Sequence, residues 1–341
     1  MPQSLVLHLV TQSSVIPKHL QGYSLQQLFF NLVDAVDPEL GHVLRRDENN
    51  RSYSLSALQI KSPASHVSSR ATSRYSHAAS RSIASRLRLL KKAGQKTEQK
   101  TEQTSTKNKQ VSRALQPTFA ALQYAHYQAI LARTECWWRI SFLDDDLFDH
   151  LIFLWNQLGD EVFPLGPAHI KVVNIAREIP GLNWAASCSY RDIYEQASAQ
   201  ERDIHFKFVT PTAFELGDSI TPLPTADAIF QSLRKHWNRY SGLVFAPSLI
   251  SDIVPTRFDL KTETVQSALR SSLQTFTGCT GSISFRIGGQ VDPLIIKRIN
   301  ALADFAQYCG IGAKTRFGMG VIRRIDGCLE SSHQSDIKAK I

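Results

Sequence analysis

The chain is poor in the features that mark membrane and secreted proteins. No apolar run in its 341 residues reaches the length of about 18 needed to cross a bilayer. Residues 1–10 lack the basic stretch and the cleavage site of a signal peptide. We therefore expect a protein that has no membrane partner and works in the cytoplasm.

Cysteine is also scarce, and its spacing excludes the common structural metal sites. The five cysteines are not paired at C-x-x-C spacing, and the histidines do not cluster with them as in zinc fingers. Reduced, buried thiols are the expected state. The sequence therefore predicts neither a metal site nor a cofactor. The five are Cys136, Cys188, Cys279, Cys309 and Cys328.

Positive charge is concentrated in one stretch of the chain. The net charge is +9, but residues 61–113 alone contain 13 Lys and Arg against two acids, Glu98 and Glu102. That stretch carries +11, so the rest of the chain carries −2. Any nucleic-acid contact by the folded part therefore depends on a local basic patch and not on an overall field.

Residues 62–116 interrupt the hydrophobic pattern. The first half is rich in Ser, Arg and Ala, and the second in Lys, Thr, Gln and Glu. The apolar content is too low to offset the entropy of ordering, so we predict a disordered basic insertion. It is either a solvated segment without a specific role or a basic arm with salt-sensitive affinity for RNA. We expect a flexible tail at 331–341.

A glycine-rich loop at 310–320 combines four glycines with two cations and a threonine. Glycine allows positive φ and a close approach of the backbone to a ligand. Successive backbone N–H groups in such loops can form concave anion sites, to which the cations add phosphate donors. We predict a phosphate-binding loop; the alternative is a helix cap and turn that binds nothing. The site residues are Gly310, Gly312, Lys314, Thr315, Arg316, Gly318 and Gly320.

The loop does not fit the two familiar nucleotide motifs. A Walker A loop that ends in Lys314-Thr315 would need glycine where Tyr308 and Ala313 stand, and a dinucleotide fingerprint counted from Gly310 would need glycine at Thr315. The context also differs, because a predicted helix ends at Gly310, an expected αL cap, and a short strand follows.

The first half of the chain is predicted to contain alternating strands and helices. Period-2 and period-3.6 patterns place a helix near 25–36 with Ser24 as its N-cap and a short helix that begins at Pro38. A helix follows at 144–158. Strands are predicted at 4–10, 52–56, 137–142 and 169–176.

The second half repeats this order. Strands are predicted at 205–209 and 281–287, and helices at 226–240 and from 295 to Gly310. Each half therefore has a split βαβ order, and the predicted fold is α+β, with two tandem ferredoxin-like (RRM-type) modules. The expected modules are 1–195, which contains the insertion, and 196–330.

Beyond these patterns, several segments resemble one known family. The chain is similar to the CRISPR-associated repeat endoribonucleases called Cas6, of the RAMP superfamily, and most similar to the long cyanobacterial-type members. The most specific signal is the loop, since this family ends in G-x-G-x-K-T-x-x-G-x-G. The other matching segments are 37–40, 137–145, 189–194, 208–214 and 300–306.

The resemblance implies a metal-independent endoribonuclease. Such proteins bind the repeat of a CRISPR precursor transcript, and the RNA's own 2′-hydroxyl attacks the adjacent phosphate. The products carry a 2′,3′-cyclic phosphate and a 5′-hydroxyl. The implied partners are the repeat RNA and other subunits of an interference complex. Two alternatives stay open: a non-catalytic repeat-binding subunit, and an RNA-binding module unrelated to CRISPR.

The resemblance also indicates the cleavage residues. Family members place a histidine after the short helix, and that position holds Arg45, while Arg51 best matches a lysine that follows. Arginine keeps its proton near pH 7 and can stabilise charge but not act as an ordinary base. Three outcomes are open: His42 takes the histidine's role, Arg45, Arg46 and Arg51 act by electrostatics and positioning, or the protein binds RNA and cuts poorly.

A few further residues border this predicted site. Phe30 matches a tyrosine that some members carry upstream, and Tyr23 and Lys18 lie near the first helix.

Overall fold

Strands and helices alternate along the chain in the order that the hydrophobic periods predict. The structure is a computed structural model and describes residues 1–46, 52–61, 122–177, 184–217, 219–269 and 272–325. The predicted insertion at 62–116 and the predicted tail at 331–341 lie outside these residues.

The N-terminal half forms one antiparallel sheet with helices packed on it. The path through the sheet is β2-β4-β1-β6-β5, with β3 added beside β4 and β7 beside β1. The strands are β1 (Gln3–Thr11), β2 (Tyr53–Leu55), β3 (Gln59–Ile60), β4 (Glu135–Phe142), β5 (Val162–Leu165), β6 (Ala168–Ala176) and β7 (Ala186–Ser187), and the helices are α1 (Tyr23–Asp34), α2 (Pro38–Arg46), α3 (Asp145–Trp155) and α4 (Tyr190–Gln196).

The C-terminal half repeats this arrangement in a second, four-stranded sheet. The order is β11-β12-β8-β13, and β9 pairs with β10 in a separate hairpin. The elements are β8 (Asp203–Thr212), β9 (Phe214–Leu216), β10 (Ser219–Thr221), α5 (Ala226–Tyr240), β11 (Ile253–Leu269), β12 (Ser272–Ile287), α6 (Pro293–Cys309) and β13 (Ile322–Ile325).

Both halves share one strand order, which confirms the prediction of tandem ferredoxin-like modules. In each, the first strand lies between the third and the fourth core strands, and the second strand is at the edge. The division at 195/196 stays a prediction.

Each module has its own apolar core between its sheet and its helices. In the first, Phe29 of α1 stacks on Tyr53 of β2 with ring centroids 4.2 Å apart, and Trp155 of α3 meets Phe29 edge-on. In the second, Trp237 of α5 contacts Phe305 of α6 edge-on. Aromatic rings of this size bury large apolar areas and fix how the helices sit on each sheet.

One buried arginine ties the two modules together. The side chain of Arg139 on β4 is 4% exposed. It donates to Ser4 Oγ (2.7 Å), to the Trp184 carbonyl (2.8 Å) and to the Gln307 carbonyl of α6 (2.5 Å). Burial lowers the pKa of Arg139 to about 10, so the guanidinium stays charged at neutral pH. The hydrogen bond from Arg139 to the Gln307 carbonyl therefore holds α6 against the first sheet.

Most predicted boundaries of helices and strands agree with the structure, but three need correction. Gly22, not Ser24, precedes the first turn of α1, and the Ser24 hydroxyl instead bonds His19 Nδ1 at 3.1 Å. Helix α3 ends at Trp155, short of the predicted 158. The predicted strand at 281–287 is only the end of β12, a 16-residue strand in a long hairpin.

Candidate functional site

The glycine-rich loop joins α6 to β13 and is mostly buried. The backbone φ is 81° at Gly312 and 74° at Gly320, a region that side chains with a Cβ rarely adopt. A Cβ on Gly312 would also overlap the Ala213 carbonyl, and one on Gly320 the Ile311 carbonyl. These two glycines are therefore required for close packing of backbone on backbone.

The N-terminal end of the loop differs from its predicted cap. Gly310 follows α6 with φ 68° and ψ −180°, so the predicted αL conformation is wrong. The φ is positive as expected, but the extended ψ sends the chain away from the helix and toward β8 and β9.

Several loop amides donate to protein carbonyls. Ile311 donates to Gly320 (2.9 Å), Ala313 to Ala213 (2.7 Å) and Gly320 to Pro211 (3.0 Å). These three N–H groups therefore hold the loop in place and do not point at an open anion site. The predicted phosphate contact therefore depends on Lys314, on Arg316 and on the remaining amides of the loop.

The loop cations lie against aromatic rings. The ammonium of Lys314 is 5.5 Å from the centroid of the Phe276 ring and 5.7 Å from that of Phe317. The guanidinium of Arg316 is 5.9 Å from the centroid of Tyr53, in the other module. Both side chains are half-buried, which limits their motion while leaving part of each accessible.

Tyr53 lies where the two modules meet, and the sequence did not single it out as a site residue. Its side chain is 1% exposed, and burial raises the pKa of its hydroxyl. Arg316, Gln26 and Arg45 act in the opposite direction on that pKa. Among the residues that the structure describes, none meets the hydroxyl with hydrogen-bond geometry.

Arg45 is held on α2 by the last residue of α1. Its guanidinium forms a bidentate ion pair with Asp34, with Nη1 2.7 Å from Oδ1, and lies 4.5 Å from the centroid of the Phe30 ring. The pair with Asp34 raises the pKa of Arg45. Arg45 is therefore a fixed cation, not a base. Tyr23 also contributes to raising the pKa of Arg45.

Two of the other predicted cleavage residues, His42 and Arg46, lie on the same helix as Arg45. Leu44 anchors α2 in the core, while the side chains of His42 and Arg46 are exposed. His42 precedes Arg45 by three residues and shares its face of the helix. Arg51 lies outside the described residues. Lys18 lies in the short 3₁₀ turn Pro17–His19 that precedes α1.

The fold thus brings together one predicted cation from each module. Arg316 of the second lies 5.9 Å from the centroid of the Tyr53 ring. Arg45 of the first packs on Phe30, which neighbours Phe29, the ring that stacks on Tyr53. Thr315 is buried in the turn between Lys314 and Phe317, and Gly318 lies against Ser56 and Ala57 of the first module. The loop is therefore a contact of the C-terminal module with β2 and the segment that follows it.

Tyr53, Gln26 and Asp34 are the site residues that sequence reasoning missed. Tyr53 occurs in an ordinary alternating strand, and Gln26 and Asp34 are polar positions of a helix. Their spacing carries no signal, because the contact of Tyr53 with Arg316 and that of Asp34 with Arg45 arise only from tertiary packing.

Candidate metal ligands do not converge in the described ranges. No group of three or more His, Cys, Asp or Glu side chains there is placed to hold a metal ion.

Long apolar helices are likewise missing from the described ranges. None of the helices there has both the length and the apolar character to cross a membrane.

Comparisons with known proteins match both halves. The family profile described as CRISPR-associated endoribonuclease Cas6 matches residues 206–322, and that of the CRISPR Cas6 N-terminal domain matches residues 1–93 and 88–195. Two curated relatives from Mycobacterium tuberculosis strains, both described as CRISPR-associated endoribonuclease Cas6, are 26% identical over 206 residues, or 59% of this chain. The chain spans 62% of the length of these relatives.

Solved structures confirm the fold. A Cas6 product complex has a TM-score of 0.64 at 21% identity, covering 95% of this chain and 100% of that chain. The structure of Thermus thermophilus Cas6 has a TM-score of 0.59 at 20% identity, covering 95% and 98%. Because the family profiles account for most of both modules and the tandem fold agrees, the chain belongs to the Cas6 family of CRISPR-associated endoribonucleases.

Proposed function

We propose that this protein binds the repeat of a CRISPR precursor RNA and cuts it without a metal ion. Family membership supports the reaction class. The observation that carries the site assignment is that Arg45 and Arg316 lie against one aromatic cluster where the two modules meet, Arg45 over Phe30 and Arg316 over Tyr53. Two fixed cations from different elements suit a phosphodiester, which gains negative charge as it is attacked.

In the proposed reaction, the 2′-hydroxyl oxygen of the RNA bonds to the adjacent phosphorus, and the bond from phosphorus to the 5′-oxygen breaks. The 2′-hydroxyl loses its proton, and the leaving 5′-oxygen gains one. The products are a 2′,3′-cyclic phosphate and a 5′-hydroxyl. Arg45 stabilises charge on the phosphorane, because its ion pair with Asp34 keeps it protonated and in place.

The proton acceptor is the open part of the mechanism. His42 is exposed one turn before Arg45 and can accept the proton of the 2′-hydroxyl. Otherwise Arg45, Arg46 and Arg51 act only by electrostatics, and water accepts the proton. Loss of a general base costs about 10²–10⁴ in rate, so His42→Ala distinguishes the two schemes.

The glycine-rich loop is proposed to hold the RNA backbone. Lys314 and Arg316 supply the cations, and Gly310, Gly312, Thr315, Gly318 and Gly320 set the course of the loop. The aromatic contacts of the two cations support this role, because they limit the positions that the two charges can take. We place the activity in the cytoplasm, beside other subunits of an interference complex.

The deciding experiment uses the purified protein and its repeat RNA in EDTA. Cleavage in EDTA, with cyclic-phosphate ends, is expected. A 2′-deoxy nucleotide at the scissile position should abolish cutting and leave binding intact. Cutting that survives this change, or that needs magnesium, contradicts the proposal.

A second candidate is a repeat-binding subunit without cleavage activity. Arg45 favours it, since this residue occupies the position of the expected histidine and its charge is paired with Asp34. Tight binding of the repeat together with no cleavage over hours supports this candidate and rejects the first.

A further inference from the structure

Strand β11 leaves one edge of the second sheet open. It is the outermost strand in the order β11-β12-β8-β13, and among the residues that the structure describes it pairs with β12 alone. Every residue from 254 to 264 except Leu260 is exposed. The N–H and C=O groups on the free side of such a strand form a template for another strand. Pro255, which has no N–H to donate, marks one end of the segment that can pair.

Four charged side chains alternate in sign along this edge. Arg257, Asp259, Lys261 and Glu263 are two residues apart, so they project on one face of the sheet. Thr280 of β12 donates to Glu263 Oε1 at 2.9 Å, which fixes one end of the row. A row of one sign would repel a second copy and protect the edge. The signs here alternate and sum to zero, so protection does not explain the row.

The order of the signs is self-complementary. When two β11 strands pair antiparallel about a two-fold axis at Leu260, Arg257 faces Glu263 of the second copy and Asp259 faces Lys261 of the second copy. Each of the four charges then meets its opposite, which stabilises a strand pair. An axis at Asp259 or at Lys261 would instead place that residue opposite its own copy, and like charges destabilise the pair. The row therefore specifies a single register.

The other face of the strand carries apolar groups that fit the same register. Phe258 is 71% exposed and shares this face with Leu260 and Thr262. Pairing about Leu260 sets Phe258 opposite Thr262 of the second copy, an aromatic side chain against a β-branched one, and sets the two Leu260 side chains together. Leu260 also packs on the core of its own module. The apolar contact would thus continue from one core to the other.

We propose that β11 binds β11 of a second copy of this chain and joins the two C-terminal sheets into one continuous sheet. The interface is isologous, because the same segment serves on both sides. It buries one short strand edge, so the association is weak, depends on protein concentration and weakens as salt screens the ion pairs. RNA is not required. At the low protein concentrations of RNA titrations the protein is monomeric, and changes in this edge leave RNA affinity unchanged.

The test is sedimentation equilibrium of the RNA-free, full-length protein over a series of concentrations. The wild type should form dimers, with a dissociation constant that rises with salt. Asp259→Lys and Lys261→Asp should each weaken self-association about tenfold or more, because two attractive pairs become repulsive. A mixture of these two variants should associate as tightly as the wild type, since every pair across the mixed edge is again of opposite sign.

The double variant Asp259→Lys/Lys261→Asp keeps the wild-type net charge and should regain self-association. The control is Asp149→Lys, which makes the same change of charge on the exposed face of α3 and should dimerise as the wild type does. Arg257→Glu and Glu263→Arg form a second complementary pair if either of the first variants fails to fold.

Three results would overturn the proposal. The first is a wild-type protein that stays monomeric at every concentration. The second is a dimer that Asp259→Lys and Lys261→Asp leave as tight as the wild type, which would place the interface elsewhere. The third is a mixture of the two variants that stays monomeric, which would reject the register about Leu260.

Discussion

The carboxylate of Asp34 lies in the space that a side chain on Gly41 would need. A Cβ built on Gly41 overlaps Asp34 Oδ1 and comes within 3.1 Å of Arg45 Nη1. The small residue in the middle of α2 therefore lets α1 and α2 share an ion pair. That ion pair fixes Arg45, the residue that we predict to stand where family members have a histidine.

This relationship predicts that Asp34→Asn separates binding from cleavage. Removing the carboxylate frees one positive charge, so RNA affinity should hold or increase, and the salt slope should become steeper by up to about one. The cleavage rate should fall about tenfold or more, because the Arg45 guanidinium loses its fixed position. Gel shifts at several salt concentrations and single-turnover cleavage measure the two effects.

Gly41→Ala should reproduce the cleavage loss. It should also fail to stabilise the protein, although alanine normally improves a helix interior by about 1 kcal/mol over glycine. Asp149→Asn, on the exposed face of α3, is the control. Full cleavage activity of both Asp34→Asn and Gly41→Ala would show that Arg45 needs no fixed position.

Lys314→Ala and Arg316→Ala should each weaken RNA binding and reduce the salt slope by about one, since each removes one phosphate contact. Titrations of repeat RNA over a range of salt concentrations test this. Lys261→Ala, which removes an exposed cation on β11, is the control for a general loss of charge. An unchanged slope in both loop variants would exclude phosphate contact by these side chains.

Gly320→Ala should lower the thermal stability more than Gly242→Ala does. Both glycines have a φ near 74°, so both substitutions carry similar backbone strain of order 1–3 kcal/mol. Only Gly320 also faces a carbonyl, that of Ile311, whereas nothing lies within 4 Å of a Cβ on Gly242. Equal shifts of Tm for the two variants would mean that the loop relaxes around the added methyl group.

Tyr53→Phe should reduce RNA cleavage without reducing stability. The change keeps the stack on Phe29 and removes a buried hydroxyl that has no well-aligned partner in the described part of the chain, so the Tm should hold or rise. If the hydroxyl positions Arg316, Tyr53→Phe and Arg316→Ala should be non-additive in cleavage rate, with a coupling of about 0.5 kcal/mol or more.

The control for that cycle is Tyr127→Phe, since Tyr127 is 89% exposed. Additive effects of the Tyr53 and Arg316 variants would assign the tyrosine a packing role alone.

Asp37 should make the stability of α2 depend on pH. Its carboxylate accepts from the Leu40 amide (2.9 Å) and lies 2.8 Å from His150 Nε2, and these contacts, the amide first, lower its pKa. A lowered pKa gives stability that is complete above the unfolded value near pH 4 and is lost as the pH falls through the folded value. Asp37→Ala should therefore cost about 1 kcal/mol at pH 7, as loss of an N-cap does.

Thermal unfolding from pH 7 to pH 3 tests this prediction. The difference in Tm between the wild type and Asp37→Ala should be constant down to about pH 4 and shrink below it. A difference that grows on acidification would contradict the assigned sign.

Much of the architecture was accessible from the sequence because it depends on local pattern. The alternation of β8, the acid at the start of α3 and Pro38 at the first position of α2 each produce their element through short-range physics. The glycine-rich loop could be located for the same reason, since few other structures need four glycines in eleven residues. The family could be recognised from that loop.

The site itself was decided by packing between the modules. Arg45 and Arg316 are 271 residues apart in the sequence, and only the contact of the loop with β2 brings Arg316 to Tyr53, in the module that contains Arg45. Composition suggested that the loop glycines expose amides to a ligand. The tertiary structure shows Gly312 and Gly320 against protein carbonyls, because a buried loop must first pair its own backbone groups. The sequence therefore determined which residues carry charge, and the tertiary contacts determined which of those charges act together.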